Sequence, residues 1–165
     1  MYKQLFIIRH GKSSWDYEQI RDIDRTLKQR GIIDGYLMAE RLLSKQLIPQ
    51  KIMVSPANRA LHSATIIARV LGIPYPALEI VEELYFSDEN TILQRIGQTS
   101  KSIDSLMVIG HNPVLTDLGN HFLNHSIDNI PTTGIVWLKF ETADWLSINP
   151  KNLVDYFFDY PKNKP

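Results

Sequence analysis

Arg9 and His10 stand side by side directly behind the apolar run Leu5-Phe6-Ile7-Ile8, and Gly11 follows them. A guanidinium offers a planar fork of N–H donors that matches the oxygens of a phosphate. An imidazole, with an ordinary pKa of about 6.5, presents a free ring nitrogen at neutral pH without a base to activate it. Two further fragments repeat the arrangement. Ser55-Pro56-Ala57-Asn58-Arg59-Ala60 follows Ile52-Met53-Val54, and Gly110-His111-Asn112-Pro113 follows Leu106–Ile109. Three apolar runs, each leading into a cation or an imidazole, point to one phosphate site at one edge of a sheet. Arg59 falls at the start of a helical pattern, where a cation opposes the helix dipole unless an anion shares the site.

Phosphoryl transfer asks a protein mainly to position a nucleophile and to neutralise charge on the transferred group. In this reading His10 is the nucleophile, Arg9 and Arg59 clamp the phosphoryl oxygens, and His111 donates a hydrogen bond or carries positive charge. Gly11 lies against the substrate. Two guanidiniums and an imidazole already offset the charge, so the chemistry calls for neither metal nor cofactor. A proton for the leaving group would come first from Glu83 and second from Glu82, near the same sheet edge, where a phosphate dianion raises a carboxyl pKa. A scissile P–N bond to an imidazole lessens that need. His121 and His125, spaced i and i+4 with Asp117 a turn earlier, lack a strong third ligand and read as helix-surface residues rather than a metal site. Lys12, Ser13 and Arg25 fit substrate contacts and loop solvation equally well.

These side chains need a scaffold. Leu5–Ile8, Ile52–Val54 and Leu106–Ile109 are short runs without alternation, as expected of strands covered on both faces. Residues 12–26 are a polar loop of functional length. Apolar residues from Leu27 to about Gln46, including Ile32, Ile33, Tyr36, Leu37, Ala39, Leu42 and Leu43, follow a helical period. A second helix runs from Ala60 to Leu71, with Gly72 as its stop. Leu78–Val81 is a strand candidate, Thr91–Ile96 a short helix, and Pro113 opens a helix reaching about Leu123. Gly134–Phe140 reads as a strand. The last fifteen residues carry Tyr156, Phe157, Phe158 and Tyr160, then fray over 161–165. Strands alternating with helices predict one α/β domain over residues 1–165: a three-layer sandwich with a mostly parallel central sheet and helices on both faces. Ligands of such sheets bind beyond the carboxyl ends of the strands, where all three fragments fall.

Lysine plus arginine equals aspartate plus glutamate, at 18 each, so no broad attraction to nucleic acid or anionic lipid is indicated. The absence of cysteine excludes disulfides, thiolate catalysis and cysteine-based metal sites. No window approaches the roughly 18 apolar residues of a membrane span, and the N-terminus carries no signal-like run. A cytoplasmic protein is the expectation.

Taken together, Arg9-His10-Gly11, Ser55-Pro56-x-x-Arg59-Ala60 and Gly110-His111-Asn112-Pro113 resemble the histidine phosphatase superfamily, also known as phosphoglycerate mutase-like. Lys12-Ser13-Ser14-Trp15, Asp24-Arg25-x-Leu27 and Glu82-Glu83-Leu84-Tyr85, with the short length, are similar to its small phosphohistidine phosphatase branch. The resemblance covers about residues 4–140. It implies a transiently phosphorylated His10, with Arg9, Arg59 and His111 completing the phosphate pocket and Glu83 aligned with the usual acid. The family's Gly-x-x-Glu-Gly run is replaced by Ser87-Asp88-Glu89-Asn90, and Lys28 stands where a helix-capping Ser or Thr is common. The implied substrate is a phosphohistidine-bearing protein. The rivals are a small phosphorylated molecule, such as a sugar or nucleotide phosphate, and a non-catalytic module that only binds phosphate.

Overall fold

A computed structural model of the chain describes residues 1–164. Ten elements follow one another: β1 (Tyr2–Arg9), α1 (Gln29–Ser44), β2 (Lys51–Val54), α2 (Asn58–Leu71), β3 (Leu78–Ile80), α3 (Glu89–Gly97), β4 (Ser105–Gly110), α4 (Val114–Phe122), β5 (Ile135–Glu141) and β6 (Leu153–Asp159). The six strands form one sheet in the order β3-β2-β4-β1-β5-β6. β3, β2, β4 and β1 pair in parallel, whereas β5 and β6 pair antiparallel. The sheet is therefore mixed, and the mostly parallel arrangement expected from the sequence describes only its first four strands.

Alternation decides where the core sits. Leu5 and Ile7 of β1 join Leu106, Val108 and residues of α3 and α4 in one apolar cluster. Phe6 and Ile8 join Met107, Ile109 and residues of α1 and α2 in another. Because neither side of the central strands meets water, their sequences show no hydropathic alternation.

The helices begin and end near their expected limits, but α1 buries an unexpected stripe. Gly31, Asp34, Gly35, Met38, Ala39 and Leu42 face inward, whereas Ile33 and Leu43 are exposed. Two glycines carry no hydropathy, yet they let neighbouring elements approach closely. A Cβ at Gly31 would collide with the backbone of Lys12, and one at Gly35 would press on Ile66 of α2. Gly72 closes α2 in the left-handed conformation with φ 69°, which glycine adopts without strain.

β6 was not foreseen. Its exposure is irregular along Leu153–Asp159, so no two-residue period marks it. Of the tail expected to fray, Pro161 accepts a hydrogen bond from Arg41 and Asn163 bonds to Asp159 and Tyr160. Pro165 lies outside the described residues. No helix is long and apolar enough to cross a membrane among the residues described.

Candidate active site

The parallel register delivers the three fragments to one place. Arg9 pairs with Gly110 across β1 and β4, and the His10 amide donates to the Gly110 carbonyl at 3.1 Å. The Ser55 amide, one residue past β2, donates to Ile109 at 3.0 Å. His10, His111 and Ser55 thus leave the carboxyl ends of three neighbouring strands together. The His10 and His111 rings lie 4.9 Å apart between centroids.

His10 is held in one state. Burial, with the charges of Arg59, Arg9 and Arg25, lowers its pKa from 6.5 to about 4, so the ring is neutral at physiological pH. Nδ1 lies 2.7 Å from the Gly11 carbonyl oxygen. A carbonyl only accepts, so Nδ1 carries the proton and Nε2 keeps its lone pair. Gly11 is fixed in turn: its amide donates to Ser63 Oγ at 2.9 Å, and that hydroxyl donates to the Arg59 carbonyl at 2.7 Å.

His111 is also neutral. Burial, with the nearness of the His10 ring and the charge of Arg59, lowers its pKa to about 3. Arg59 Nη2 sits 3.5 Å from its Nδ1, and Ser55 Oγ lies 2.8 Å from its Nε2. Since a guanidinium only donates, Nε2 carries the proton and donates to Ser55. A dianion arriving beside the ring favours its cationic form, whose Nδ1 then becomes a donor.

Arg9 spends Nη1 on the Ile130 carbonyl at 3.1 Å. Arg9 Nε and Arg59 Nε are buried without a hydrogen-bond partner among the described residues. Such donors are costly to bury unless an acceptor reaches them, and phosphoryl oxygens are suitable acceptors. Asn112 has a structural task. Its amide donates to Asn129 Oδ1 and Ile130 O, both at 2.9 Å, anchoring the segment that receives Arg9. Thr133 braces the end of β1: with φ 61° it donates its amide to the carbonyls of Arg9 and His10 at 3.0 and 3.2 Å.

Arg9, His10, Arg59, His111 and Asn112 open into a cleft of about 730 Å³. Lys12, Ser13 and Arg25 all line it. Arg25 is buried and reaches Ser13 Oγ at 2.5 Å and the Ser14 carbonyl at 3.0 Å. Trp15 covers it, with the guanidinium 3.2 Å from the ring centroid. Glu82 and Glu83 do not join the site. Both are exposed, and neither lines the cleft. They form a short 3-10 turn, Glu82–Leu84, and the next two residues, Tyr85 and Phe86, line the cleft in their place. The cleft's carboxylates are Asp22, Asp88, Glu89 and Asp117. Three of these participants escaped the sequence reading, Asp22, Ser63 and Thr133, while Tyr85 entered it only within the run Glu82-Glu83-Leu84-Tyr85, without a role. Asp22 lies three residues before Arg25, a spacing that was the available signal. His121 and His125 go separate ways, the first to Glu89 at 2.8 Å and the second against Tyr156.

The family model of the histidine phosphatase superfamily (branch 1) matches residues 5–95. The phosphohistidine phosphatase SixA of Escherichia coli is 29% identical over 114 residues, covering 68% of this chain and 69% of its own. An uncharacterized protein of Mycobacterium tuberculosis is 28% identical over 153 residues, covering 87% and 92%. Among solved structures, a protein histidine phosphatase SixA complexed with tungstate superposes with TM-score 0.77 and 22% identity, over 96% of this chain and 97% of the other.

Proposed function

The chain belongs to the histidine phosphatase superfamily (branch 1) and is a phosphatase, and we propose that it works through a phosphohistidine formed on His10. The observation that carries this reading is the His10 tautomer: Nδ1 is committed to Gly11 at 2.7 Å, which frees Nε2 for attack beside Arg9, Arg59 and His111. The sequence of bonds is simple. Nε2 attacks phosphorus as the bond from phosphorus to the leaving group breaks, in line with the attack. Water then attacks the phosphohistidine and releases inorganic phosphate and neutral His10. Arg9, Arg59 and a protonated His111 hold the phosphoryl oxygens throughout, and this charge stabilisation is the protein's main contribution. No metal or cofactor is assigned a role.

The proposed substrate is a protein carrying phosphohistidine. The cleft is open, and Trp15 and Phe86 at its lining are 71% and 80% exposed; a protruding side chain enters such a site without a lid. A departing imidazole readily accepts a proton, so the exposed position of Glu83 is no obstacle. The named activity of the Escherichia coli relative and the oxyanion held by the tungstate-bound neighbour support the same reading. A cytoplasmic location accords with it.

Wild type and His10→Ala are compared on p-nitrophenyl phosphate and on a phosphohistidine-bearing protein, without added metal. Turnover of the phosphoprotein in preference, abolished in the variant, is the expected result. Preference for a small phosphate ester would move the substrate to that class. No turnover by wild type on either would leave a binding module.

A further inference from the structure

Asp22, which the sequence reading did not single out, is hydrogen-bonded to Arg59 twice. It lies in the 3-10 turn Asp22–Asp24 of the loop after β1. Its Oδ2 accepts from Arg59 Nη2 at 3.0 Å and from the Tyr85 hydroxyl at 2.5 Å, and its Oδ1 accepts from Arg25 Nη1 at 3.0 Å. Its backbone carbonyl accepts from Arg59 Nη1 at 2.7 Å. One residue therefore engages both terminal nitrogens of Arg59, the guanidinium placed to bind the phosphoryl group.

The geometry forces a choice. Arg59 Nη2 is also the atom 3.5 Å from His111 Nδ1, so it faces the space where a group attacked by His10 must sit. A phosphoryl oxygen that reaches this nitrogen meets a carboxylate already bound to it. Two anions on one donor repel, and a partly buried setting screens them less than water does. The helix-dipole argument leads to the same residue. A cation at the start of α2 needs an anion, and Asp22 is that anion.

We propose that Asp22 is a resident anion of the phosphate site: it preorders Arg59 and competes with the phosphoryl group for it, which weakens the hold on inorganic phosphate and speeds product release. This rests on the phosphatase reading above. Asp22 never touches the reacting atoms, so it is a positioning residue acting through Arg59. Its charge, and not merely its shape, carries the effect. Asparagine keeps the size and the acceptor oxygen while removing the competing charge.

Inorganic phosphate is titrated by calorimetry into wild type, Asp22→Asn, Tyr85→Phe and Arg59→Ala, and its inhibition constant is measured against p-nitrophenyl phosphate. Asp22→Asn is expected to bind phosphate about tenfold more tightly, with the gain shrinking at high salt. Tyr85→Phe, which retains the carboxylate and only removes a donor to it, is expected to show no such gain. A residue that only supported the fold would weaken binding when replaced. Unchanged or weaker binding in Asp22→Asn, with Arg59→Ala still abolishing it, overturns this inference alone. Phosphate binding that is absent in wild type, or indifferent to Arg59, overturns the phosphatase reading with it.

Discussion

At the scale of single residues, the site depends on which nitrogen of an imidazole is free. Two pressures fix that choice in His10. Burial and three nearby guanidiniums keep the ring neutral, with its pKa lowered to about 4, and the Gly11 carbonyl holds the proton on Nδ1. In nitrogen-15 spectra of the free protein, His10 is expected as the Nδ1–H tautomer and His111 as the Nε2–H tautomer. Both should remain neutral as pH falls from 7 towards 5, and a ring that titrates near 6.5 would show that water reaches it. That Arg9, His10, Arg59 and His111, the residues proposed to hold the phosphoryl group, would converge could be read from sequence because each follows a short apolar run, Arg59 five residues past Val54. Asp22, Ser63 and Tyr85 could not. Each is a common polar residue whose role exists only through a partner 37 to 63 positions away, and no local pattern records such distances.

At the scale of elements, periodicity located the helices but misjudged what α1 presents to its neighbours. The inward stripe is built on Gly31 and Gly35, because the chain from Gly11 to Lys12 crosses directly over that helix. The Lys28 amide bonds to the Lys12 carbonyl at 2.8 Å, so the crossing is held in place beside His10. Gly31→Ala is therefore expected to shift the segment after His10. It should lower kcat at least tenfold and cost about 1–3 kcal/mol of stability by overpacking, measured by turnover and urea unfolding. An unaffected kcat would mean that the crossing does not position the nucleophile. β6 was invisible for a different reason: it pairs only with β5 at the edge of the sheet, and its side chains carry no consistent inside and outside. Glu83 was placed near the correct sheet edge, but the turn it occupies faces that carboxylate to solvent. A register of one or two residues inside a turn cannot be read from residue types.

At the scale of the whole molecule, the pairing of strands that assembles the site also burdens the fold. Two imidazoles are buried neutral, with pKa values of about 4 and about 3 in the folded state against 6.5 when exposed. Their folded pKa values are depressed, so the unfolded chain binds more protons between these limits. Their contribution is complete above pH 6.5 and is lost as pH falls through that window. The loss is of order 2 kcal/mol per ring at pH 5. Urea midpoints should fall from pH 7.5 to pH 5, and the His10→Asn, His111→Asn double variant should flatten that slope; equal slopes would place the rings in contact with solvent. The alternation of strands and helices was enough to expect an α/β fold. The antiparallel turn to β5 was not legible, since direction depends on where the segment after α4 crosses, and the Asn112–Ile130 contact that anchors it is long-range.

The central claim is that phosphate passes through Nε2 of His10. The most direct test gives the protein a phosphohistidine-bearing protein labelled on phosphorus, stops the reaction in alkali within the first turnover and maps the label. An acid-labile, base-stable phosphate on His10, absent from His10→Asn, is the predicted result. Phosphate released with no label ever appearing on the protein, or label on another residue, would contradict it.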